Sequence, residues 1–190
     1  MATQARTVHR LKISLREVKP AVWRRIEVPS EMKLSKLAAT LEAAMGWQGG
    51  HLHVFVVGRQ RYGVPDPDWP SGELDERKVT VTEVLPFVKA KLRWEYDFGD
   101  GWEHDVVVEA IEPRQAKTRY PVCRAGQRAC PPDDCGGPGG YEDLLEALAD
   151  LNHPSHDELA EWVPPGFDPE RFDLDETNAA LRSPRPLPGW

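Results

Sequence analysis

The sequence predicts an α+β protein built on one mostly antiparallel sheet, with one helix packed against it and a helical C-terminal section. Three patterns predict this class: strands with alternating apolar residues, one segment with helical spacing, and acid-rich helical segments near the C-terminus. With 190 residues and 40% hydrophobic content, the chain is long enough for one substantial core. The expected topology is a β-grasp-like sheet.

Two strands begin the chain. Residues 9–19 place Leu11, Ile13 and Leu15 at alternate positions, which is typical of a half-buried strand. After a break at a Lys-Pro-Ala sequence, residues 22–28 read as a second strand. The two strands are therefore expected to form a hairpin.

A helix and a buried strand are expected next. Ser35 can cap a helix that runs through Met45, and Gly46 is a plausible stop. Residues 51–57 are almost continuously apolar, which favours burial on both faces. Residues 62–69 contain prolines and acids and are expected to be irregular.

The middle of the chain is expected to form a second hairpin. Residues 79–81 predict a short extended segment, and residues 84–87 predict a helical turn. Alternation over 92–98 resumes over 102–108, on either side of a Gly-Asp-Gly turn. The returning strand leads into the part of the sequence that holds every cysteine.

The C-terminal part reads as a loop followed by helices. Helices are expected at 141–148, 156–162 and 175–181. The domain organisation is then a single domain over 8–182, made of a sheet plus helix (8–112), a Cys/Pro/Gly loop (113–140) and a helical section (141–182), with a loose tail (183–190).

The cysteines predict a structural zinc site. Cys123, Cys130 and Cys135 lie in one loop, and a tetrahedral site needs a fourth ligand. His104 is the first candidate because its strand leads into this loop. The spacing is not the paired CxxC of the strongest zinc motifs, so buried small apolar residues and a redox pair stay open as alternatives.

The histidines support a second hypothesis, a metal-dependent enzyme. His51 and His53 lie two residues apart in a strand, so both rings point to one face. His104, with Asp97 or Asp100, could complete a catalytic metal or acid–base site. The alternative is that these histidines bond to backbone carbonyls and the acids form turns.

Charge distribution supports a third hypothesis, DNA binding. The net charge is −7, which argues against binding that depends on neutralising phosphates. The first 25 residues are nonetheless basic, and they could contact phosphates or an acidic partner. The candidate contacts are Arg10, Lys12, Arg16, Arg24 and Arg25. Charge runs also serve solubility alone.

The expected location is the cytoplasm. No apolar run is long enough for a membrane helix, and the N-terminus has no secretory h-region. Three cysteines, an odd number, fit a reducing compartment better than a disulfide framework.

Several long motifs carry a resemblance to a known family. They are Lys19-Pro20 with Val22-Trp23-Arg24-Arg25, Ala44-Met45-Gly46-Trp47 with His51-Leu52-His53-Val54-Phe55, Tyr62-Gly63 with Pro65-Asp66, Leu74-Asp75-Glu76-Arg77, Tyr96-Asp97-Phe98-Gly99-Asp100 with Trp102-Glu103-His104, and Cys130-Pro131-Pro132 with Asp134-Cys135-Gly136-Gly137. The chain resembles the plasmid pRiA4b ORF-like family, named for the third open reading frame of that plasmid, over about residues 8–182.

The resemblance implies proteins carried by plasmids and transposons and also found in bacterial chromosomes. Some are labelled transposon passenger or resolvase-like, but the sequence shows no serine nucleophile with the arginine cluster of a serine recombinase. The family supplies no agreed catalytic residues. The leading hypothesis is therefore an uncharacterised binding or accessory protein with a structural zinc site and an unknown partner, and the metal-dependent enzyme is the alternative.

Overall fold

The computed structural model describes residues 6–47, 49–65 and 72–183. Within these ranges the chain forms one eight-stranded sheet and five helices. The strands are β1 (Thr7–Leu15), β2 (Trp23–Pro29), β3 (His53–Val57), β4 (Gln60–Gly63), β5 (Leu74–Asp75), β6 (Lys91–Tyr96), β7 (Trp102–Pro113) and β8 (Val122–Gln127). The helices are α1 (Leu34–Met45), α2 (Val81–Val84), α3 (Gly137–Ala149), α4 (His156–Trp162) and α5 (Leu174–Arg182). Residues 66–69 of the expected irregular segment and 184–190 of the expected tail lie outside the described ranges.

The sheet order is β5-β4-β3-β6-β7-β1-β2-β8. The β4–β5 pair is parallel and the other six pairs are antiparallel within the described chain. The predicted α+β class with a mostly antiparallel sheet is therefore confirmed. The β-grasp-like topology stays a prediction.

The alternating strands and the first helix form where their patterns predict, but the N-cap of α1 is Lys33 without a side-chain cap, so the expected capping by Ser35, which lies inside the helix, is wrong. Leu11 and Ile13 on β1 are fully buried, and Leu11 lies opposite Ile26 of β2. In α1 the residues at helical spacing face the core, because burying one apolar stripe is what stabilises a short helix. Gly46 ends α1 at a φ of 104°, and its N–H donates to the Glu42 carbonyl.

The β6–β7 hairpin carries the aromatic centre of the core. Trp94 lies opposite His104, and Tyr96 lies opposite Trp102, so alternation places all four side chains on one face. All four are at most 1% exposed. Trp47, just after α1, stacks on Tyr96 with ring centroids 4.7 Å apart. This packing ties the end of α1 to the end of β6.

Two segments differ in detail from the sequence predictions. The predicted 113–140 loop contains β8, which pairs along β2 with Cys123 opposite Ile26. Its strand state depends on the free edge of β2 rather than on its own weak alternation, so periodicity missed it. The segment expected to be extended at 79–81 is so as far as Thr80, which bridges to Lys33, and the helical turn expected at 84–87 forms earlier, as α2, where Thr80 and Glu83 form a capping box.

The three C-terminal helices are confirmed. Helix α3 begins at Gly137, four residues before the expected Tyr141, after a left-handed Gly136. Helix α5 begins after Asp173, whose carboxylate accepts the N–H groups of Asp175 and Glu176. Among the helices of the described ranges, none has the length and apolar character needed to span a bilayer.

Candidate functional site

The pairing of β3 with β6 brings the candidate histidines to the acids of the central turn. His53 lies opposite Tyr96, so the start of β3 and the end of β6 meet at the same edge. The Asp97 N–H donates to the Leu52 carbonyl at 2.8 Å, which continues the pairing past the strand ends. His51 and Asp97 are therefore placed side by side by sheet register.

Three side chains converge at this edge. His51 Nδ1 lies 3.2 Å from Asp97 Oδ2, and His51 Nε2 lies 3.9 Å from Asp134 Oδ1. One ligand atom from each of the three residues lies within 4.8 Å of the other two. Asp134 comes from the cysteine-bearing loop, so this loop does reach the histidines, through a carboxylate rather than a thiol.

The backbone holds Asp97 in a fixed orientation. Its φ is 54°, in the left-handed region that Asp tolerates better than most side chains. Asp97 Oδ1 accepts the N–H of Gly99 at 3.0 Å and of Asp100 at 3.4 Å. One oxygen therefore stabilises the turn, and the other, Oδ2, faces His51.

Two further carboxylates are buried next to this group. Glu76 is fully buried, and its Oε2 lies 2.9 Å from His53 Nε2. Glu42, on α1, is 4% exposed. Each carboxylate has an Oε1 atom without a hydrogen-bond partner in the described chain. Buried polar atoms of this kind are rare because each costs about 1–3 kcal/mol when unpaired.

The electrostatics of Glu42 show which groups surround it. The pKa of Glu42 is raised to about 7, chiefly by burial, and of the nearby charges His53 and His51 lower it whereas Glu76 and Asp133 raise it. Glu42 therefore gains or loses its proton near neutral pH. A Cβ on Gly49 would lie 2.8 Å from Glu42 Oε2, so the loop before β3 passes directly over this carboxylate.

The three cysteines are free thiols, one buried and two partly buried. Cys123 on β8 is 2% exposed and donates to the Ala125 carbonyl at 3.4 Å. Cys130 and Cys135 are partly buried and pack against the core. Burial raises the pKa of Cys123 and Cys130, and it raises the pKa of Cys135 to about 12. Such thiols stay protonated at neutral pH, which disfavours thiolate chemistry in the absence of a metal.

His104 lies in a different environment from the other two histidines. Its ring is 4.6 Å from Trp94 and 5.2 Å from Trp47, and its Nδ1 lies 3.2 Å from the Trp94 carbonyl. Since a carbonyl only accepts, Nδ1 carries the proton. Burial lowers the pKa of His104 to about 3, and its Nε2 has no partner in the described chain.

The four predicted zinc ligands do not form a compact group. Among the described residues, the three-ligand cluster is that of His51, Asp97 and Asp134, and the thiols of Cys123, Cys130 and Cys135 do not join His104 in such a cluster. Zinc binding by those four residues stays a prediction. The alternative interpretation of the thiols as small buried apolar groups agrees with their surroundings.

Asp100 lies at the same turn but has a different role. Its Oδ2 accepts the Gly136 N–H at 3.3 Å. A Cβ on Gly137 would lie 2.2 Å from the Asp100 carbonyl oxygen, so only glycine allows this approach. Asp100 therefore ties the hairpin turn to the start of α3, which holds Asp134 near His51.

The basic residues near the N-terminus contact other groups of the sheet. Three of them are ion-paired: Arg10 with Glu27 and Glu112, Arg16 with Glu103 and Asp105, and Arg25 with Glu109. Arg24 is 3% exposed and donates to the Ala44 carbonyl at 2.9 Å. Lys12 lies over the ring of Trp23. DNA binding through these residues stays a prediction, and their pairing lowers the charge available for phosphates.

Comparison with known proteins places this chain in a family. Residues 7–176 match the family described as plasmid pRiA4b ORF-3-like protein. The chain belongs to the plasmid pRiA4b ORF-3-like family. It is similar to the uncharacterized protein y4hQ of Sinorhizobium fredii (strain NBRC 101917 / NGR234), with 42% identity over 177 residues that cover 92% of this chain and 91% of that protein.

A solved structure shares the fold. The crystal structure of MM3350, a protein of unknown function from Methanosarcina mazei Go1, has a TM-score of 0.83 and 34% identity. The similarity covers 91% of this chain and 98% of that one. The resemblance to pRiA4b ORF-3-like proteins is thus confirmed over nearly the whole chain, and both relatives are described as proteins without an established function.

Sequence reasoning missed three acids of this site. Glu42 lies on the apolar face of α1, four residues after Ala38 and three before Met45, so a carboxylate at an apolar helical position was an available signal. Glu76 and Asp134 lie in irregular segments, where periodicity says nothing about burial or direction. Their proximity to His51 depends on long-range packing.

Proposed function

We propose that this pRiA4b ORF-3-like protein is a metal-dependent enzyme whose divalent cation is held by His51, Asp97 and Asp134. The observation that carries the proposal is the convergence of these three ligand atoms within 4.8 Å, beside Glu42 and Glu76. A hydrogen bond alone, without a metal, would explain the contact between His51 and Asp97. The third ligand atom, from Asp134, and the buried acids Glu42 and Glu76, each with one oxygen that lacks a partner among the described residues, go beyond such a pair and make the surroundings acidic.

The donor set indicates the kind of cation. One imidazole nitrogen and two carboxylate oxygens suit zinc, manganese or ferrous iron better than a purely thiolate-preferring ion. Three protein ligands leave at least one position for water, as catalytic zinc sites do. The Asp134 side chain is 75% exposed, so the open side of the site faces solvent.

The surrounding groups support hydrolytic chemistry. A bound divalent cation lowers the pKa of its water and polarises an oxygen of the substrate. The pKa of Glu42 is about 7 without a metal, and because a bound cation would favour its ionised form, this carboxylate is suited to accept a proton at neutral pH. His53 is held by Glu76, which fixes its ring beside the same cluster.

The leading sequence hypothesis remains the competing function. A non-enzymatic accessory protein of mobile elements, with a structural zinc on Cys123, Cys130, Cys135 and His104, would need the loop and the hairpin to rearrange around the ion. The free thiols support the expected cytoplasmic location, which is a reducing compartment. The two hypotheses place the metal on different side chains.

Metal titration of stripped protein separates them. Zinc or manganese is titrated into the full chain and into His51→Ala, Asp97→Asn and Cys130→Ser, with His153→Ala as a histidine control. We expect His51→Ala and Asp97→Asn to lose roughly tenfold or more in affinity, and the other two variants to match the wild type. Metal lost in Cys130→Ser and retained in His51→Ala would overturn the assignment.

Activity is tested on the metal-loaded chain with chromogenic phosphoester, carboxylic ester and amide substrates. We expect metal-dependent turnover of one class, which Glu42→Gln reduces without reducing the bound metal. Turnover that is unchanged in both His51→Ala and Glu42→Gln would exclude this site as its source.

A further inference from the structure

A second concave surface lies beside the first turns of α1, at the other end of this helix from its buried C-terminus. It is a groove of about 750 Å³ between the first turns of α1, the connection from β7 to β8, and the end of α5. None of the residues of the candidate metal centre lines it. The groove is therefore separate from the proposed metal centre, and binding there would not depend on the proposed enzymatic function.

The floor of the groove is apolar. Met32 and Ala39 come from the α1 side, Tyr120 and Pro121 from the connection, and Leu181 from α5. Leu181 is 2% exposed and anchors α5 to the core, whereas Met32 and Tyr120 remain partly exposed. A partner could bury apolar side chains on these groups.

The rim of the groove is basic. Lys33, Lys36, Arg119 and Arg182 line it, against one acid, Glu31. Lys33 donates to the Lys78 carbonyl, which keeps its charge. For Lys36, Arg119 and Arg182, no ion-pair partner occurs within the described ranges.

The single acid of the groove is already neutralised. Glu31 pairs with Arg114 at 3.0 Å, and the Arg114 guanidinium lies 5.5 Å from the centre of the Tyr120 ring. The groove therefore carries four cations without a compensating anion of its own. This is unusual for a chain of net charge −7, in which other arginines of the sheet are paired.

We propose that this groove binds an acidic amphipathic peptide segment of a partner protein. The basic rim complements carboxylates, and the apolar floor complements the Leu or Phe side chains of such a segment, as in helix-in-groove recognition. A single-stranded nucleic acid fits less well, because stacking platforms need several aromatic side chains and the floor offers only Tyr120.

Fluorescence anisotropy with the full chain tests the proposal. The probe is a labelled synthetic peptide with Leu and Glu at helical spacing, and the comparison probes are the same peptide with Lys in place of Glu and a labelled oligothymidine. We expect the acidic peptide to bind with a Kd on the order of 10 μM that weakens with salt, and the other two probes to bind more weakly.

Charge reversal locates the binding. The double variant Lys36→Glu/Arg119→Glu should weaken peptide binding by about tenfold or more, while Arg59→Glu/Lys91→Glu, an equal charge change at exposed cations elsewhere, should leave it within about twofold. Thermal unfolding of both variants checks that each folds. Equal weakening in both variants, tighter binding of the oligothymidine, or no binding of the acidic peptide would overturn the proposal.

Discussion

Two histidines contributed by the same end of the sheet occupy opposite environments. His104 is enclosed by Trp94 and Trp47 and donates only to a carbonyl. His51 lies 29% exposed between Asp97 and Asp134, with buried carboxylates behind it. Among the described residues, His104 has no charged neighbour that would favour its protonation, whereas His51 lies in a group with an excess of negative charge.

The difference shows that strand position alone does not make a histidine functional. His104 lies opposite Trp94, inside the core face of the hairpin, where a cation would lose its hydration without gaining a ligand. His51 lies just before the start of β3, where the turn and the cysteine-bearing loop supply oxygens. The proposed metal site lies where the sheet register ends and the loops converge.

The largest expected effect is the pH dependence that His104 gives to stability. Its folded pKa of about 3 lies below the ordinary 6.5, so the unfolded state binds the proton first. This stability is present above pH 6.5 and is lost as the pH falls towards 3, by about 3 kcal/mol between about pH 7 and pH 4. His104→Asn keeps a donor near the Trp94 carbonyl and should remove this dependence.

Urea unfolding of metal-stripped wild type and His104→Asn over this pH range measures the effect. The variant should be less stable at neutral pH because it leaves a cavity. The difference in the free energy of unfolding between the two proteins should become smaller as the pH falls. If this free-energy difference were the same at every pH, His104 would be solvated, and its environment would no longer differ from that of His51.

Glu42 should give a pH dependence of the opposite sign. Its folded pKa of about 7 lies above the ordinary 4.5, so the folded state keeps a proton that the unfolded state releases. The contribution of Glu42 to stability should therefore fall as the pH rises through this window, by about 2 kcal/mol between about pH 5 and pH 8, and the opposing contribution of His104 is removed by comparing wild type with Glu42→Gln at each pH.

Glu42→Gln should abolish this fall in metal-stripped protein. The same urea unfolding series measures it, with Glu158→Gln on the exposed face of α4 as a matched control. If wild type and Glu42→Gln show parallel pH profiles, the carboxylate is not enclosed by the acids of the centre. A bound cation should also reduce the wild-type dependence, because it favours the ionised carboxylate.

The packing of Gly49 over Glu42 is expected to have a smaller effect. Gly49 has a φ of 76°, and an added Cβ would meet Glu42 Oε2 at 2.8 Å. Gly58 has a φ of 60° with open space around it, so both alanine variants share the cost of a left-handed backbone.

Gly49→Ala should therefore be less stable than Gly58→Ala by about 1 kcal/mol, measured by urea unfolding. Equal destabilisation in the two variants would indicate that Glu42 shifts freely and that this side of the centre is not fixed.

Features of this molecule that depend on local patterns could be predicted from the sequence, whereas features that depend on long-range packing could not. The hairpins and α1 were predictable because alternate or helically spaced apolar residues, such as Leu11 and Leu41, report burial directly. His51 and Asp97 were predictable as candidates because they flank strands that pair. Strand β8 was not, since its pairing depends on the edge that β2 offers.

The choice of partners for the histidines could not be derived from the sequence. His104 is followed in the chain by the cysteine loop, but strand alternation turns its ring into the core, and only the packing of Trp47 shows this. The same loop delivers Asp134 to His51 because Asp100 holds Gly136. Those contacts join residues far apart in sequence, where local patterns carry no information.

The smallest expected effect on stability, at Asp134, is the sharpest test of the centre. Its side chain is 75% exposed and its φ is 60°, a conformation that asparagine also tolerates. Asp134→Asn should therefore change the free energy of unfolding by less than about 0.5 kcal/mol, like most exposed substitutions. It should nonetheless weaken metal binding by about tenfold, because the amide is a poorer ligand than the carboxylate. Asp157→Asn, an exposed charge loss on α4, provides the control for calorimetric titration. Equal affinities in the two variants would leave His51 and Asp97 as a hydrogen-bonded pair like the one between His104 and its carbonyl, and the two histidines would no longer differ in kind.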